Sequence, residues 1–229
     1  MGTISSENKL KEKSYIAFFD LDNTLIKANS GKLIFRGAYE KGMMRLPDII
    51  KALWLSFLYK FRLMNSEKII AGMLKWLAGV PEKRFSDLSS EVFEKHMLQA
   101  IPEEARNEIR MHKDKNAAIV ILSSTLLPVC RKVADNLDLD DVICTELEED
   151  GSCFTGRTSG KICFGNEKLI RLKNYCEKFN GKISDAWYYG DSISDLPALS
   201  IVGYPVCINP DRLLRKRAKE KNWIIFSWK

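Results

Sequence analysis

The sequence predicts an α/β fold: a Rossmann-like three-layer α/β/α core with a parallel sheet, plus an inserted all-α helical cap subdomain. Three observations support it. Five short apolar runs are near-continuous rather than alternating, as in strands covered on both faces. Helical patterns separate the later runs, and strand–helix–strand repetition with right-handed crossovers stacks helices on both sides of one sheet. One long interval after the first run holds helical patterns and no convincing strand.

Taken in order, the first strand is Tyr15–Phe19. From about Ala28 to Lys113 the pattern is helical. Leu46–Met64 is strongly apolar, and Ser66 suits the N-cap of a helix over Glu67–Ala78. Pro81–Leu98 and Pro102–His112 each start with a proline fit for a first helical turn. A second strand, Ala117–Leu122, leads into a helix over Pro128–Leu137. Glu148-Glu149-Asp150-Gly151-Ser152 carries an Asp-Gly turn signal for a hairpin. Helix Glu167–Lys178, strand Ala186–Tyr189, helix Leu196–Ile201, strand Tyr204–Ile208, helix Arg212–Lys221 and strand Trp223–Phe226 complete the chain. The expected division is a core of residues 1–27 and 114–229 with a cap of residues 28–113. That insertion hangs over the carboxyl ends of the strands, the edge where open α/β sheets bind ligands.

Composition narrows the function classes. Of 229 residues, 45% are apolar and 29% charged, which excludes disordered, collagenous and coiled-coil proteins. Lys and Arg number 36 against 30 acids; the net charge of +6 is too small to point to nucleic acid. Cys130, Cys144, Cys153, Cys163, Cys176 and Cys207 form no C-x-x-C pair and read as reduced thiols of a cytoplasmic protein. Two histidines, His96 and His112, leave little material for a zinc site or a His-dependent triad. Met1–Lys13 is polar and lacks the apolar core of a signal peptide. The longest apolar candidate, Ala52–Tyr59, lies between Lys51 and Lys60 and is too short to span a membrane.

Four stretches carry chemistry. The first strand runs into Phe18-Phe19-Asp20-Leu21-Asp22-Asn23-Thr24. Carboxylates at i and i+2 on an extended segment share a side, and their repulsion calls for a hard cation such as Mg²⁺. The same residues also suit a turn cap, and this motif alone does not decide. The second strand ends in Ile121-Leu122-Ser123-Ser124-Thr125, where hydroxyls and free backbone N–H groups suit phosphate oxygens. The third ends in Tyr189-Gly190-Asp191-Ser192-Ile193-Ser194-Asp195, with two acids one helical turn apart. Lys168, near the start of the preceding helix, can neutralise a phosphoryl group or a carboxylate; a solvated helix face is the alternative. All four stretches fall at carboxyl ends of strands or beside them.

In this arrangement the chain resembles the haloacid dehalogenase superfamily of phosphatases, specifically the phosphoserine-phosphatase-like branch (subfamily IB) with a helical C1 cap between motifs one and two. The matching stretches are Asp20-Leu21-Asp22-Asn23-Thr24, Ser123 after Ile119-Val120-Ile121-Leu122, Lys168 in Cys163-Phe164-Gly165-Asn166-Glu167-Lys168, and Gly190-Asp191-Ser192-Ile193-Ser194-Asp195. The resemblance runs from about Ile16 to Trp228. It implies a Mg²⁺-dependent phosphomonoester hydrolase in which Asp20 forms an aspartyl-phosphate and Asp22 is general acid and base. It further implies that Asp20, the Asp22 backbone carbonyl and Asp191 hold the metal, with Asp195 as ligand or support. Ser123, with Ser124 beside it, and Lys168 would hold the phosphoryl group.

The substrate is an open question at this level. Phosphoserine phosphatases of the family carry a glutamate nine residues after the nucleophile; here that place holds Asn29. Lys41–Lys68 has six basic residues against two acids, interleaved with Trp54, Leu55, Phe57, Leu58, Tyr59 and Phe61. Asp211–Lys221 is again basic. Both suit weak contact with an anionic membrane, and hence a lipid phosphate of the phosphatidylglycerophosphate kind. Internal packing of the apolar helix and a solvated basic face are the competing expectations. A small phosphorylated metabolite and a phosphotransferase using the same nucleophile also fit.

Overall fold

The computed structural model describes residues 10–60 and 66–229. Its elements, in chain order, begin with β1 (Ile16–Phe19), α1 (Ser30–Glu40), α2 (Leu46–Lys60), α3 (Ser66–Leu74), α4 (Glu82–Val92) and α5 (Glu103–Asp114). There follow β2 (Ala118–Leu126), α6 (Leu127–Leu137), β3 (Asp141–Thr145), β4 (Leu147–Asp150), β5 (Cys153–Thr158) and α7 (Asn166–Lys178). The chain closes with β6 (Trp187–Gly190), α8 (Leu196–Leu199), β7 (Tyr204–Ile208), α9 (Arg212–Glu220) and β8 (Ile224–Phe226).

Six strands form one parallel sheet in the order β3-β2-β1-β6-β7-β8. The near-continuous apolar runs are explained by burial on two faces. In β1, Ala17 and Phe19 join one core with Phe85, Ile109 and Val133, whereas Ile16 and Phe18 join the other with Leu172, Leu199 and Leu214. Successive side chains point to opposite faces, and both faces are covered, so no position is polar. The strand order reverses between β1 and β6. The crevice at that switch point is where the first and third motifs meet.

Several boundaries differ from expectation. β3 has no counterpart among the five expected strands, because Asp140 and Asp141 interrupt its apolar run and only its last two residues are buried. β2 continues through Ser123 to Leu126, with a register shift against β3 between Leu122 and Leu126. The Ser-rich segment is therefore an irregular strand end, not a turn, a place where bulges re-aim side chains. Pro81 and Pro102 stand at the N-cap positions rather than inside the first turn. After α4 the chain makes a π-turn over Phe93–Met97 and a 3₁₀ turn over Leu98–Ala100 instead of one straight helix. Ser66 is the first residue of α3, which ends at Leu74 ahead of a 3₁₀ turn at Lys75–Leu77. The last part of Leu46–Met64 lies outside the described residues.

The hairpin forms as expected, β4 pairing antiparallel to β5 around Gly151. It also grips the inserted helices: Gly79 N–H donates to Phe154 O (2.8 Å), Phe154 N–H to Val80 O (2.9 Å) and Glu82 N–H to Ser152 O (2.9 Å). Of the helices between β1 and β2, α5 packs directly on the sheet through Ile109 and His112. Among the described residues no helix is long and apolar enough to cross a membrane. All six cysteines are free.

His112 is fully buried and part of a polar network on the sheet. Tyr189 donates its hydroxyl proton to Glu108 Oε1 (2.6 Å), so its oxygen accepts from His112 Nε2–H (2.8 Å). Nδ1 is then bare and accepts from the Tyr15 hydroxyl (2.8 Å). Burial, with a smaller push from Lys115, lowers this imidazole's pKa from 6.5 to about 4. The unfolded chain therefore binds one more proton than the fold between those values, and stability drops as pH falls through that window. The expected loss is roughly 3 kcal/mol across the window. Urea unfolding at pH 7, 5.5 and 4.5 should show it, and His112→Gln should flatten the slope. An equally steep slope in the variant would refute the assignment.

Candidate active site

The first motif sits where β1 meets the switch-point crevice. Asp20 N–H donates to Tyr189 O (2.8 Å), which continues the β1–β6 ladder by one bond and fixes the backbone. Beyond Asp20 the chain is not extended. It turns, with Thr24 and Ile26 N–H both donating to Leu21 O (3.3 and 3.0 Å). Leu21 enters the core, and the placing of Asp22 follows from this turn and not from strand alternation. Asn23 carries the turn with φ of 56°, a left-handed conformation that asparagine tolerates.

Lys168 lies in the first turn of α7 and is 2% exposed. It is no solvated helix-face lysine. Its Nζ donates to Asp20 Oδ1 (2.8 Å), Asp195 Oδ1 (2.6 Å) and the Tyr188 hydroxyl oxygen (3.1 Å). Tyr188 in turn donates to Asp195 Oδ1 (2.8 Å). Burial pushes against the ammonium's charge, but Asp195 and Asp20 override it and hold the Lys168 pKa well above its ordinary value. Gly165 precedes α7 with φ of 56°, a turn that brings the helix start to the crevice.

The fourth motif forms a 3₁₀ turn, Ile193–Asp195, capped by Ser192. Asp195 is fully buried and saturated: Oδ1 takes Lys168 and Tyr188, and Oδ2 takes Ser192 N–H (3.2 Å). A side chain at Gly190 would place its Cβ 2.9 Å from the Asp195 carboxylate, so glycine is required for this packing. Asp191 Oδ2 accepts from Asn23 Nδ2 (3.2 Å). Carboxylate oxygens of Asp20, Asp191 and Asp195 lie within 4.8 Å of one another. The Asp22 carboxylate is outside this group.

That crowding shows in the titrations. Burial raises the Asp20 carboxyl, opposed by Lys168 and by the Ser123 hydroxyl. Burial, then the charges of Asp20 and Asp195, pushes Asp191 up to about 8. One buried ammonium faces three carboxylates, an all-oxygen donor set with a surplus of negative charge. These residues fit a hard divalent cation.

Asp22 stands apart. Its Oδ1 accepts from Ser30 N–H (2.9 Å) at the N-terminus of α1, which Asn29 caps by accepting from Lys32 N–H (2.9 Å). Burial lifts the Asp22 carboxyl to about 6 although Ser30 pulls the other way. Ser123 is buried beside Asp20, and its Oγ accepts from Thr125 N–H (3.3 Å). Ser124 lines the neighbouring cleft, with its carbonyl accepting from Thr145 (2.9 Å).

Of the sequence-predicted site residues, Asp20, Ser123, Lys168, Asp191 and Asp195 gather in the crevice, whereas the Asp22 carboxylate and Ser124 line the cleft beside it. Sequence reasoning missed Ser30, Tyr188 and Asp211; it had Asn23 as a turn residue but not its bond to Asp191. Asp211 caps α9 and also braces the motif-four loop: its N–H donates to Asp191 O (2.7 Å), and its Oδ2 accepts from Ile193 N–H (2.8 Å). An Asp directly before a helix suits an N-cap, but nothing in the sequence marks the second task.

Comparison with known proteins agrees with this geometry. The haloacid dehalogenase-like hydrolase family matches residues 17–200. A protein named phosphoserine phosphatase from Mycobacterium tuberculosis is 31% identical over 218 residues, covering 91% of this chain and 69% of its own. A histidinol-phosphatase from Neisseria meningitidis is 27% identical over 221 residues, covering 93% of this chain and 99% of its own. A solved structure of a protein of unknown function from Bordetella pertussis superposes with a TM-score of 0.85 at 22% identity, covering 93% and 98% of the two chains. A family match from β1 into the last turns before β7, over motifs that fold into one crevice, settles the lineage: the chain belongs to the haloacid dehalogenase-like hydrolases.

Proposed function

We propose that the protein is a Mg²⁺-dependent phosphomonoester hydrolase working through an aspartyl-phosphate on Asp20. The observation that carries this reading is the cluster of Asp20, Asp191 and Asp195 around a buried Lys168. The names of two relatives at similar identity, a phosphoserine phosphatase and a histidinol-phosphatase, support phosphatase chemistry without fixing the substrate.

The cation site would be formed by the carboxylates of Asp20 and Asp191 and the Asp22 backbone carbonyl, with Asp195 as support rather than ligand, its oxygens being already engaged. Magnesium bound there supplies charge neutralisation to the phosphoryl oxygens and to the clustered acids. In the first step Asp20 attacks phosphorus as the bond to the substrate's alcohol oxygen breaks. Asp22 gives its proton to that oxygen; a carboxyl lifted to about 6 holds a proton more readily near neutrality than an ordinary one. In the second step water attacks the same phosphorus, Asp22 takes its proton, and Asp20 is released with inorganic phosphate. Lys168, Ser123 and Ser124 would hold the phosphoryl oxygens. The helices of residues 28–113 would serve as a cap over this site, although α5 belongs with the sheet by its packing. Free cysteines suit a reducing, cytoplasmic compartment.

The substrate we favour is a small phosphorylated molecule. Phosphoserine is disfavoured because Asn29 spends its side-chain oxygen on the cap of α1 and has no charge to offer an ammonium. Membrane contact and a lipid phosphate find no support. Leu46, Ile50 and Trp54 are exposed on α2, but Phe57, Leu58, Tyr59 and Phe61 lie outside the described side chains.

Asp20→Asn keeps the shape and removes the nucleophile. Turnover of a generic phosphomonoester is expected to fall by at least about a thousandfold with little change in the melting temperature. Retained turnover would overturn the proposed role. Phosphorus NMR with an acceptor alcohol present should show inorganic phosphate and no new ester, a new ester being the mark of a phosphotransferase. Chelation of divalent cations should abolish turnover, and added Mg²⁺ should restore it; activity indifferent to chelation would remove the metal from the mechanism.

A further inference from the structure

A cleft of about 170 Å³ opens beside Asp22, between α1, α3 and the end of β2. Its two ends differ in character. Next to the chemistry lie Asp22, Ser30, Ser124 and Thr125, and these are partly paired among themselves: Ser30 N–H on Asp22, and the Ser30 and Thr125 hydroxyls on each other (3.0 Å). The far end is walled by Ile34, Phe35, Ile70, Met73, Leu74 and Trp76. Among the described lining residues, Asp22 is the one charged side chain. Trp76 is braced on two sides, with ring centroids 6.1 Å from both Phe35 and Phe85. A side chain held this way is a preformed wall, as in ligand sites that set a few polar groups against an apolar lining.

Resting on the phosphatase reading above, we infer that the substrate is a phosphomonoester whose alcohol part is an uncharged apolar or aromatic group about one ring in size, seated against Trp76 and Phe35. The size follows from the volume: an apolar cavity of about 150 Å³ holds a benzene ring. The absence of charge follows from the lining. An amino-acid alcohol would bring an ammonium and a carboxylate to an apolar wall with no counter-ion among the described residues; the nearest donors, the Asn29 amide and the Ser124 hydroxyl, are uncharged and lie at the polar end, and unpaired buried ions are strongly rejected. Asp22 offers no exception, because its carboxyl faces the departing oxygen and serves the proton transfer. The reaction itself is unchanged: the bond from phosphorus to the ring-bearing alcohol breaks as the bond to Asp20 forms, and the alcohol leaves with the proton from Asp22.

The test compares kcat/KM for benzyl phosphate, phosphoserine and acetyl phosphate on the full chain with Mg²⁺. Acetyl phosphate has no ring and reports the phosphoryl chemistry by itself. Benzyl phosphate should exceed phosphoserine by at least about tenfold, the discrimination a fitted apolar pocket gives. Trp76→Ala should lower the ratio of benzyl to acetyl phosphate efficiency by about tenfold, mostly through KM, and Trp76→Phe should restore much of it. Phosphoserine cleaved as well as benzyl phosphate would overturn the inference while leaving the phosphatase reading in place. An unchanged ratio in a folded Trp76→Ala protein would do the same. Failure of the wild type to cleave even acetyl phosphate would sink the phosphatase reading, and this inference with it. The wild-type comparison needs no variant, so poor folding of Trp76→Ala does not block the test.

Discussion

The ammonium of Lys168, sealed under the switch point between Asp20 and Asp195, is the constraint on which the site depends. A lone buried ammonium sheds its proton; this one is held charged by two carboxylates and a tyrosine oxygen. Such pairs contribute little net stability, because desolvation of three ions offsets most of their attraction. What they give is position. Asp20 cannot swing away without costing the lysine one of its two carboxylates, and Asp195 cannot turn outward without losing Tyr188 as well. The nucleophile proposed for the reaction is thereby presented in one orientation, and phosphoryl transfer depends mainly on positioning and charge.

This arrangement demands close backbone approach, and the chain meets the demand at a few positions. Gly190 makes room for the Asp195 carboxylate, and Gly165 turns the chain so that Lys168 enters from the start of α7. Asn23 takes a left-handed turn and also donates to Asp191. Asp211 ties the loop between β6 and α8 to the start of α9. None of these touches a phosphoryl group in the proposed chemistry. They are the means by which four strands and helices, distant in sequence, agree on one crevice.

Much of this was legible in the sequence because it rests on local rules. Apolar runs gave five of the six sheet strands: the inner strands β1, β2 and β6 are buried on both faces over most of their length and have no polar positions to blur them, and the edge strand β8 is apolar although Ile224 and Phe226 are exposed. The missing one, β3, lies at the sheet edge, where partial burial tolerates Asp141 and breaks the run. The acids, the serine, its neighbour Ser124 and Lys168 were legible through residue type, spacing and the family resemblance. The path after Asp20 was not. Strand alternation predicted shared direction for Asp20 and Asp22, but a turn bonded to Leu21 O sets the position of Asp22 instead. Ser30, Tyr188 and the second role of Asp211 escaped because each acts through a contact made only in the folded chain, and a serine or a tyrosine carries no signal of its own. His112 was set aside as unhelpful for zinc or triad chemistry, and it serves instead as a neutral link between two tyrosines.

The division between polar floor and apolar wall bears on how one lineage acts on different phosphates. On the proposed reading the floor would bind what all phosphomonoesters share, so its residues are set by the chemistry and can be read as short motifs. The wall would bind the part that differs, and it is built from the inserted helices, where the requirement is only a surface of suitable shape. Leu, Ile, Met and Trp meet that requirement in many arrangements, so no short pattern marks it. Contacts to the alcohol part nevertheless affect the reaction, because binding energy from a non-reacting group can hold the phosphorus in line with Asp20. An apolar alcohol gains this energy by desolvation alone, with no ion pair to align. On the inferred reading the shape set by Trp76 and Phe35 would do the selecting, and Asp22 at the polar end of the cleft would stay free for the chemistry.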